Sequence, residues 1–231
     1  MSAPARLGRP RLHLRRTDST NLRARALVLA GAPHGTLVTA DEQLAGRGRQ
    51  GRAWTAPAGR ALLLSVVLRE LPPLLALSSA VAVADVVGSR ARIKWPNDVL
   101  VDGRKVAGIL AEGRPQEGWA VLGIGVNVAV RPQDLAPELA DRAAGLGLEA
   151  SAIEPTLAVL LSALEQRLAE DPEATLEAFR ARDALSGREV RWQHGEGIAS
   201  GVDDDGRLVV ELAGGGTAVL DAGEVHLVAP R

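Results

Sequence analysis

The pattern of apolar and polar positions has two textures, and they change near residue 185. Leu12-His13-Leu14 alternates with the period of a short strand. Asp18-Ser19-Thr20-Asn21 is a cluster of N-cap residues ahead of the apolar-periodic run Leu22 to Leu29, and Gly31 stops it, so a helix is predicted. Thr36 to Ala40 and Ala61 to Leu68 predict buried strands. Between them Asp41 to Gly59 has no period and reads as a loop rich in Gly and Arg. Pro72-Pro73 introduces a helix from Leu74 to about Val87, ended by Gly88. Arg92 to Trp95 and Val99 to Val101 predict strands around a break at Pro96. Asp102-Gly103 is a hairpin turn into a strand at Lys105 to Ala111, and Gly118 to Val130 is another long strand.

Residues 131 to 154 are punctuated by Pro and Gly, with room for a short helix. Thr156 to Ala169 and Pro172 to Ala184 predict helices, the second with Pro172 at its first position. After Ser186-Gly187 come Glu189 to Trp192, Gly197 to Val202, Leu208 to Leu212, Thr217 to Leu220 and Val225 to Val228, with turns at Asp205-Gly206 and Gly214-Gly215-Gly216. Five short strands in so few residues suggest a small barrel that depends on docking for its stability. Two domains are therefore expected, 1–184 and 185–231.

Composition narrows the function. The net charge of −1 exerts no global pull toward nucleic acid or anionic membrane. Zero cysteines exclude disulfides, Cys-ligated metals and thiol catalysis. The four His, at 13, 34, 194 and 226, are scattered, and no metal ligand is assigned. His13 and His226 lie on apolar strands and are expected to be packed. No apolar run can span a bilayer, and Met1 to Pro10 lacks a signal core, so a soluble, cytoplasmic protein is expected. The cations are unevenly chosen: 25 are Arg and two are Lys, at 94 and 105. In a chain so biased toward Arg, Lys remains where a compact, mobile ammonium is needed. Asn97, one of three Asn in the chain, lies between the two lysines.

Three segments carry chemistry. Gly46-Arg47-Gly48-Arg49-Gln50-Gly51-Arg52-Ala53-Trp54 matches G-x-G-x-x-G after a strand, yet no helix opens behind Gly51, against a dinucleotide fingerprint. Neither lysine is followed by Ser or Thr, so no Walker A loop is present. What remains is a glycine-hinged loop whose amides and guanidiniums suit phosphate or carboxylate oxygens, with Trp54 as a stacking face; a solvated basic loop is the plain alternative. Ile93-Lys94-Trp95-Pro96-Asn97-Asp98 makes a rigid corner, and the hairpin at Asp102-Gly103 returns Lys105 along the same sheet. Gly123-Ile124-Gly125-Val126-Asn127 is a strand whose glycines leave room for a flat ligand or close backbone contact. Ser19-Thr20-Asn21 alone reads as a helix cap.

Together these motifs resemble the biotin protein ligases. The resemblance rests on Asp18-Ser19-Thr20-Asn21, Gln43 before the GRGRQGRAW loop, KWPND at 94–98, K-x-x-G-I-L-x-E at 105–112 and G-I-G-V-N at 123–127. It implies an α+β fold: a mixed β-sheet flanked by helices, of the class II aminoacyl-tRNA synthetase and biotin ligase type, with a C-terminal SH3-like barrel. It implies an ATP-dependent ligase that activates biotin as biotinyl-5′-adenylate, with Mg²⁺, and transfers it to a lysine of a biotin carboxyl-carrier domain. Ser19, Thr20, Asn21 and Gln43 would then hydrogen-bond biotin. Arg47, Gly48 and Arg49 would lie over the biotin carboxylate and the adenylate phosphate, and Lys105 would touch both. Trp54 and Asn127 would hold the adenine nucleotide, and Asp98 would face the acceptor lysine. Lys94, Asn97, Gly108 and Gly125 complete the implied binding set; Arg47, Arg49, Asp98 and Lys105 are the implied catalytic residues. Gln50 falls where the family varies and receives no role.

Many family members carry an N-terminal helix-turn-helix domain and double as repressors. Here about ten residues precede the first strand, which implies the monofunctional form and no nucleic-acid partner. No membrane partner is expected, and homodimerisation is left open. A lipoate ligase shares the architecture and chemistry and would need a longer hydrophobic channel. A nucleic-acid-binding or regulatory module built on the Arg loop is the alternative from another class.

Overall fold

The computed structural model describes residues 6–221 and 223–228, so the first half of the segment searched for a signal core lies outside it. Seven strands form the larger sheet: β1 (Arg11–Leu14), β2 (Leu37–Ala40), β3 (Leu62–Leu68), β4 (Ala91–Lys94), β5 (Asp98–Val101), β6 (Arg104–Arg114) and β7 (Trp119–Val126). Their order is β1-β2-β3-β7-β6-β5-β4; β1 and β2 run parallel and every other pair is antiparallel. The mixed sheet follows from connection length, because α1 (Thr20–Leu29) fills the β1–β2 crossover while β5, β6 and β7 are joined by short turns. At the β5–β6 turn Asp102 and Gly103 both have positive φ, 50° and 75°, the backbone that a two-residue hairpin demands.

Helices cover both faces. On one, Ala24 and Val28 of α1 pack on Val38, Val67, Trp119 and Val121. On the other, α2 (Leu75–Val87), α3 (Ile153–Leu168) and α4 (Pro172–Arg180) enclose the alternate positions Leu62, Leu64, Val66, Leu122 and Ile124. All seven residues of β3 are buried, which explains its unbroken apolar run. Strands β8 (Glu189–Trp192), β9 (Gly195–Val202), β10 (Leu208–Glu211), β11 (Thr217–Leu220) and β12 (His226–Leu227) form a separate antiparallel sheet in the order β11-β10-β9-β8-β12. Its apolar residues Val190, Ala199, Leu208, Val210 and Val225 join the main core, so the small sheet is docked.

Several elements differ from the expected ones. The last helix ends at Arg180, and residues 182–184 run beside β4 instead. Ile93 N–H donates to Arg182 O (2.8 Å) and Ala184 N–H to Ile93 O (2.9 Å). An edge strand with unmet backbone groups outcompetes a final helical turn. β7 stops at Val126, because Ala129 N–H turns to Arg60 O (2.8 Å). Residues 131–152 contain three 3₁₀ turns, two of them opened by a proline (Pro132–Asp134, Pro137–Leu139 and Ala150–Ala152), and no α-helix. His13 and His226 are not packed: their side chains are 45% and 62% exposed, since β1 and β12 are both outer strands. No described helix is long and apolar enough to cross a membrane.

Beside β4, Asp183 takes the Leu185 N–H on Oδ1 (2.8 Å), while its Oδ2 is enclosed without a partner. Burial raises its pKa above the ordinary aspartate value, against the pull of the backbone N–H groups of Leu185 and Ser186. A raised folded-state pKa gives stability that is complete below the unfolded value, about 3.9, and is lost as pH rises through the folded value. Asp183→Asn should therefore raise Tm at pH 7 by a few degrees, with the gain vanishing toward pH 3. Thermal melts across this range test it, and an equal or lower Tm at pH 7 would refute it.

Candidate active site

A sheet covered on both faces has space for a ligand only where side chains are missing. On the α1 face, the register places Ser65 opposite Gly123 and Gly125 opposite Gly108. None of these three glycines has positive φ, so their backbones suit any residue. They are needed for clearance. A Cβ at Gly123 would collide with the Asn21 amide and one at Gly125 with the Trp54 indole. At Gly108 it would lie 3.0 Å from both Lys105 Cε and Trp54 Cζ3. The resulting cavity is about 610 Å³.

Every residue to which the family resemblance gave a role lines this cavity: Ser19, Thr20, Asn21, Gln43, Arg47, Gly48, Arg49, Trp54, Lys94, Asn97, Asp98, Lys105, Gly108, Gly125 and Asn127. They come from the N-cap and first turn of α1, from Gln43 and the glycine loop that follows it, and from the stretch that runs from β4 to the residue after β7.

The neutral part lies at the start of α1. Ser19 occupies the N-cap position with extended backbone, yet its side chain makes no capping bond, and Asp18 Oδ1 accepts the Ser19 N–H instead (2.9 Å). The cluster is therefore more than a cap. Thr20 donates through its N–H (2.7 Å) and its hydroxyl (3.0 Å) to Gln43 Oε1. Asn21 Oδ1 accepts from Ser65 Oγ (2.5 Å), and its Nδ2 donates to Glu112 Oε2 (2.8 Å). Ser19, Thr20 and Asn21 are all buried. Ser65 was missed in the sequence, although it is the one polar side chain in the buried strand β3.

The cationic part faces it. Lys105 Nζ lies 2.6 Å from Asp98 Oδ1 and 5.5 Å from the Trp54 ring centroid. Asn97 is locked by Nδ2 donating to Ile109 O (2.8 Å), and its Oδ1 accepts from Arg49 Nη1 (3.1 Å). Burial pushes the Arg49 guanidinium below its ordinary pKa, partly offset by Asp98. Burial likewise lowers the Lys94 ammonium, with Asp98 and Glu224 opposing and Lys105 and Arg52 adding to the shift. Six cations line the cavity, Arg47, Arg49, Arg52, Lys94, Lys105 and Arg142, against three carboxylates, Asp98, Asp141 and Glu224. In a chain of net charge −1, that local excess makes the cavity an anion receptor.

The glycine loop has more structure than its lack of period implied. Arg47 pairs with Ala53 in an antiparallel bridge, and Gly48 N–H donates to Arg52 O (2.7 Å) around a single 3₁₀ turn. Trp54 leans over Gly125 with its Nε1 buried and unpartnered. The remaining walls were not foreseen. Ala143 bridges Lys105, Asn127 Nδ2 donates to Ala144 O (3.0 Å), and the small sheet contributes Glu224, His226 and Leu227. Arg52 Nη1 donates to Glu224 Oε1 (2.5 Å), tying the loop to that sheet.

Comparison with known proteins gives the same direction. The Biotin/lipoate A/B protein ligase family matches residues 13–128, and the biotin protein ligase C-terminal domain matches 185–228. A biotin–[acetyl-CoA-carboxylase] ligase of Mycobacterium tuberculosis is 37% identical over 91% of this chain and 86% of its own length. One from Paracoccus denitrificans is 36% identical over 92% and 98%. The biotin protein ligase of Aquifex aeolicus in complex with biotin and ATP superposes with a TM-score of 0.79 at 27% identity, covering 96% of this chain and all of that one. The chain belongs to the biotin/lipoate A/B protein ligase family, on its biotin protein ligase side.

Proposed function

We infer that this chain is a biotin–[acetyl-CoA-carboxylase] ligase, which uses ATP to join biotin to a lysine of a carboxyl-carrier domain. The observation that carries the reading is one cavity holding both a neutral hydrogen-bonding part, at Thr20, Asn21 and Gln43 with Ser65 buried behind Asn21, and a cationic part around Lys105. A neutral ring system with a polar head suits the first, and a carboxylate beside a phosphate chain suits the second. Relatives named as biotin ligases favour biotin over lipoate.

In the first step a biotin carboxylate oxygen attacks the α-phosphorus of ATP, forming the mixed anhydride and releasing pyrophosphate. Anion meets polyanion, so the barrier falls where fixed cations neutralise the developing charge. Arg47, Arg49 and Lys105 supply them. Trp54 and Asn127 hold the nucleotide, and Lys94, Asn97, Gly108 and Gly125 shape its seat. Among the described residues no group of three His, Asp or Glu side chains could hold a metal. Mg²⁺ would be held largely by the phosphates of ATP, with at most one or two carboxylates, and would supply further neutralisation of their charge. In the second step the acceptor amine attacks the acyl carbon and releases AMP. That amine must first lose a proton, its ordinary pKa being about 10. Asp98 is the candidate to accept it. Lys105 holds Asp98 before substrate arrives, and moving to the phosphate frees the carboxylate for the amine. On this reading the reaction runs in the cytoplasm, in a monomer or homodimer, without a membrane or nucleic-acid partner.

Lys105→Met should leave the fold intact and lower biotin-dependent pyrophosphate release by orders of magnitude. Lys105→Arg should also be poor, because a planar fork cannot replace a point charge between two anions. Release at the wild-type rate by folded Lys105→Met would refute the role.

Arg47→Ser and Gly48→Ser should uncover the adenylate. Each would still activate biotin but leak the intermediate and label unrelated lysines. Incubation with biotin, ATP and a bystander protein, followed by a biotin blot, reads the leak. Labelling equal to wild type, with equal protease sensitivity of residues 41–59 with and without ligand, would show that the loop is no lid.

The purified chain should not retard duplex DNA at physiological salt, with or without biotin. A shift that weakens as salt rises would overturn this.

A further inference from the structure

Glu112 is absent from the cavity wall, yet it touches two residues that form it. It follows Gly108 and Leu110 at two-residue spacing along the cavity face of β6. Its Oε2 accepts from Asn21 Nδ2 at 2.8 Å, and its Oε1 lies 3.7 Å from Arg47 Nη1. One carboxylate thus bridges the first turn of α1 and the glycine loop. The Asn21 amide has no freedom to turn over, because Ser65 donates to its Oδ1 and a flip would set two oxygens against each other at Glu112. The ion pair to Arg47 has a different character: the side chains are 48% and 40% exposed, and such a pair adds little to stability. Fold stability therefore does not account for it. Its geometry suits a contact that aims a guanidinium across the cavity mouth.

We propose that Glu112 is a positioning residue that couples the Asn21 part of the cavity to Arg47 of the glycine loop, so that the cation is already aimed when biotin is seated. The proposal rests on the biotin and ATP reading above. Glu112 touches neither reacting group; it acts through Asn21 on biotin binding and through Arg47 on retention of the adenylate. These two effects are separable, because a glutamine keeps an acceptor for Asn21 and loses the charge for Arg47, whereas an alanine loses both.

The test compares wild type, Glu112→Gln, Glu112→Ala and the double variant Arg47→Ser/Glu112→Gln, all as the full chain. For each, pyrophosphate release against biotin concentration and bystander labelling per pyrophosphate released are measured. Glu112→Gln should keep KM for biotin within about twofold and raise bystander labelling about tenfold. Glu112→Ala should show the same labelling and a KM for biotin raised about tenfold. The double variant should leak no more than Arg47→Ser alone, since the two changes remove one interaction. Wild-type labelling by Glu112→Gln, an Ala variant whose KM matches that of the Gln variant, or additive leakage in the double variant would each overturn the coupling. Absence of biotin-dependent pyrophosphate release by wild type would instead overturn the reading on which it rests.

Discussion

The site depends on clearance above a sheet that is otherwise sealed on both sides. β3 and β7 are buried along nearly their whole length, and α1 closes one face while α2, α3 and α4 close the other. Space appears where Gly108, Gly123 and Gly125 meet across β6 and β7 and a small Ser65 stands beside them. Asn21, Trp54 and Lys105 then rest directly on backbone. Glycine in a strand costs conformational entropy and packing, about 0.5–1 kcal/mol each relative to alanine. That cost makes sense only where side chains or a ligand must come closer than a Cβ permits. The same surface positions the neutral and the cationic parts of the cavity.

Charge is the second constraint. Arg49 and Lys94 are held where burial disfavours their charged forms, and the chain tolerates this because Asp98 lies near both. Lys105 pairs with the same Asp98, their side chains 30% and 17% exposed. Removing one partner of such a pair leaves an uncompensated charge, so the arrangement is stable only as a set. On the proposed reading, an arriving polyanion would relieve the cations and alter the partner of Asp98 in one event. That reading would link binding of the first substrate to readiness for the second.

Much of this was legible in the sequence because it is local. The Asp102-Gly103 turn, the unbroken apolar run of β3 and the short strands after residue 186 follow from turn chemistry and period. The two lysines marked the cavity because an Arg-rich chain retained Lys only there. What stayed hidden depends on partners distant in sequence. Residues 182–184 look helical by themselves and become extended because β4 offers open hydrogen bonds. His13 and His226 sit on apolar strands, and only strand order shows those strands to be at the edge. Ser65 and Glu112 acquire meaning through Asn21, which lies 44 and 91 residues away from them.

The small C-terminal sheet belongs to the same physical argument as the cavity. Its apolar residues are continuous with the main core, and Gly206 at its β9–β10 turn packs against Leu74 and Leu77 at the start of α2. The Gly206 carbonyl accepts the Trp95 indole N–H at 3.0 Å. Trp95 precedes Pro96, Asn97 and Asp98, so the docked turn braces the corner from which Asn97 reaches Arg49 and Asp98 reaches Lys105. On the other side of the cavity, Glu224 holds Arg52 at the base of the glycine loop. A sheet of short strands with little core of its own therefore grips the site at two points, the rigid corner and the glycine loop. Each hold carries a single polar contact, which ties the placement of the cations to the seating of the whole C-terminal unit.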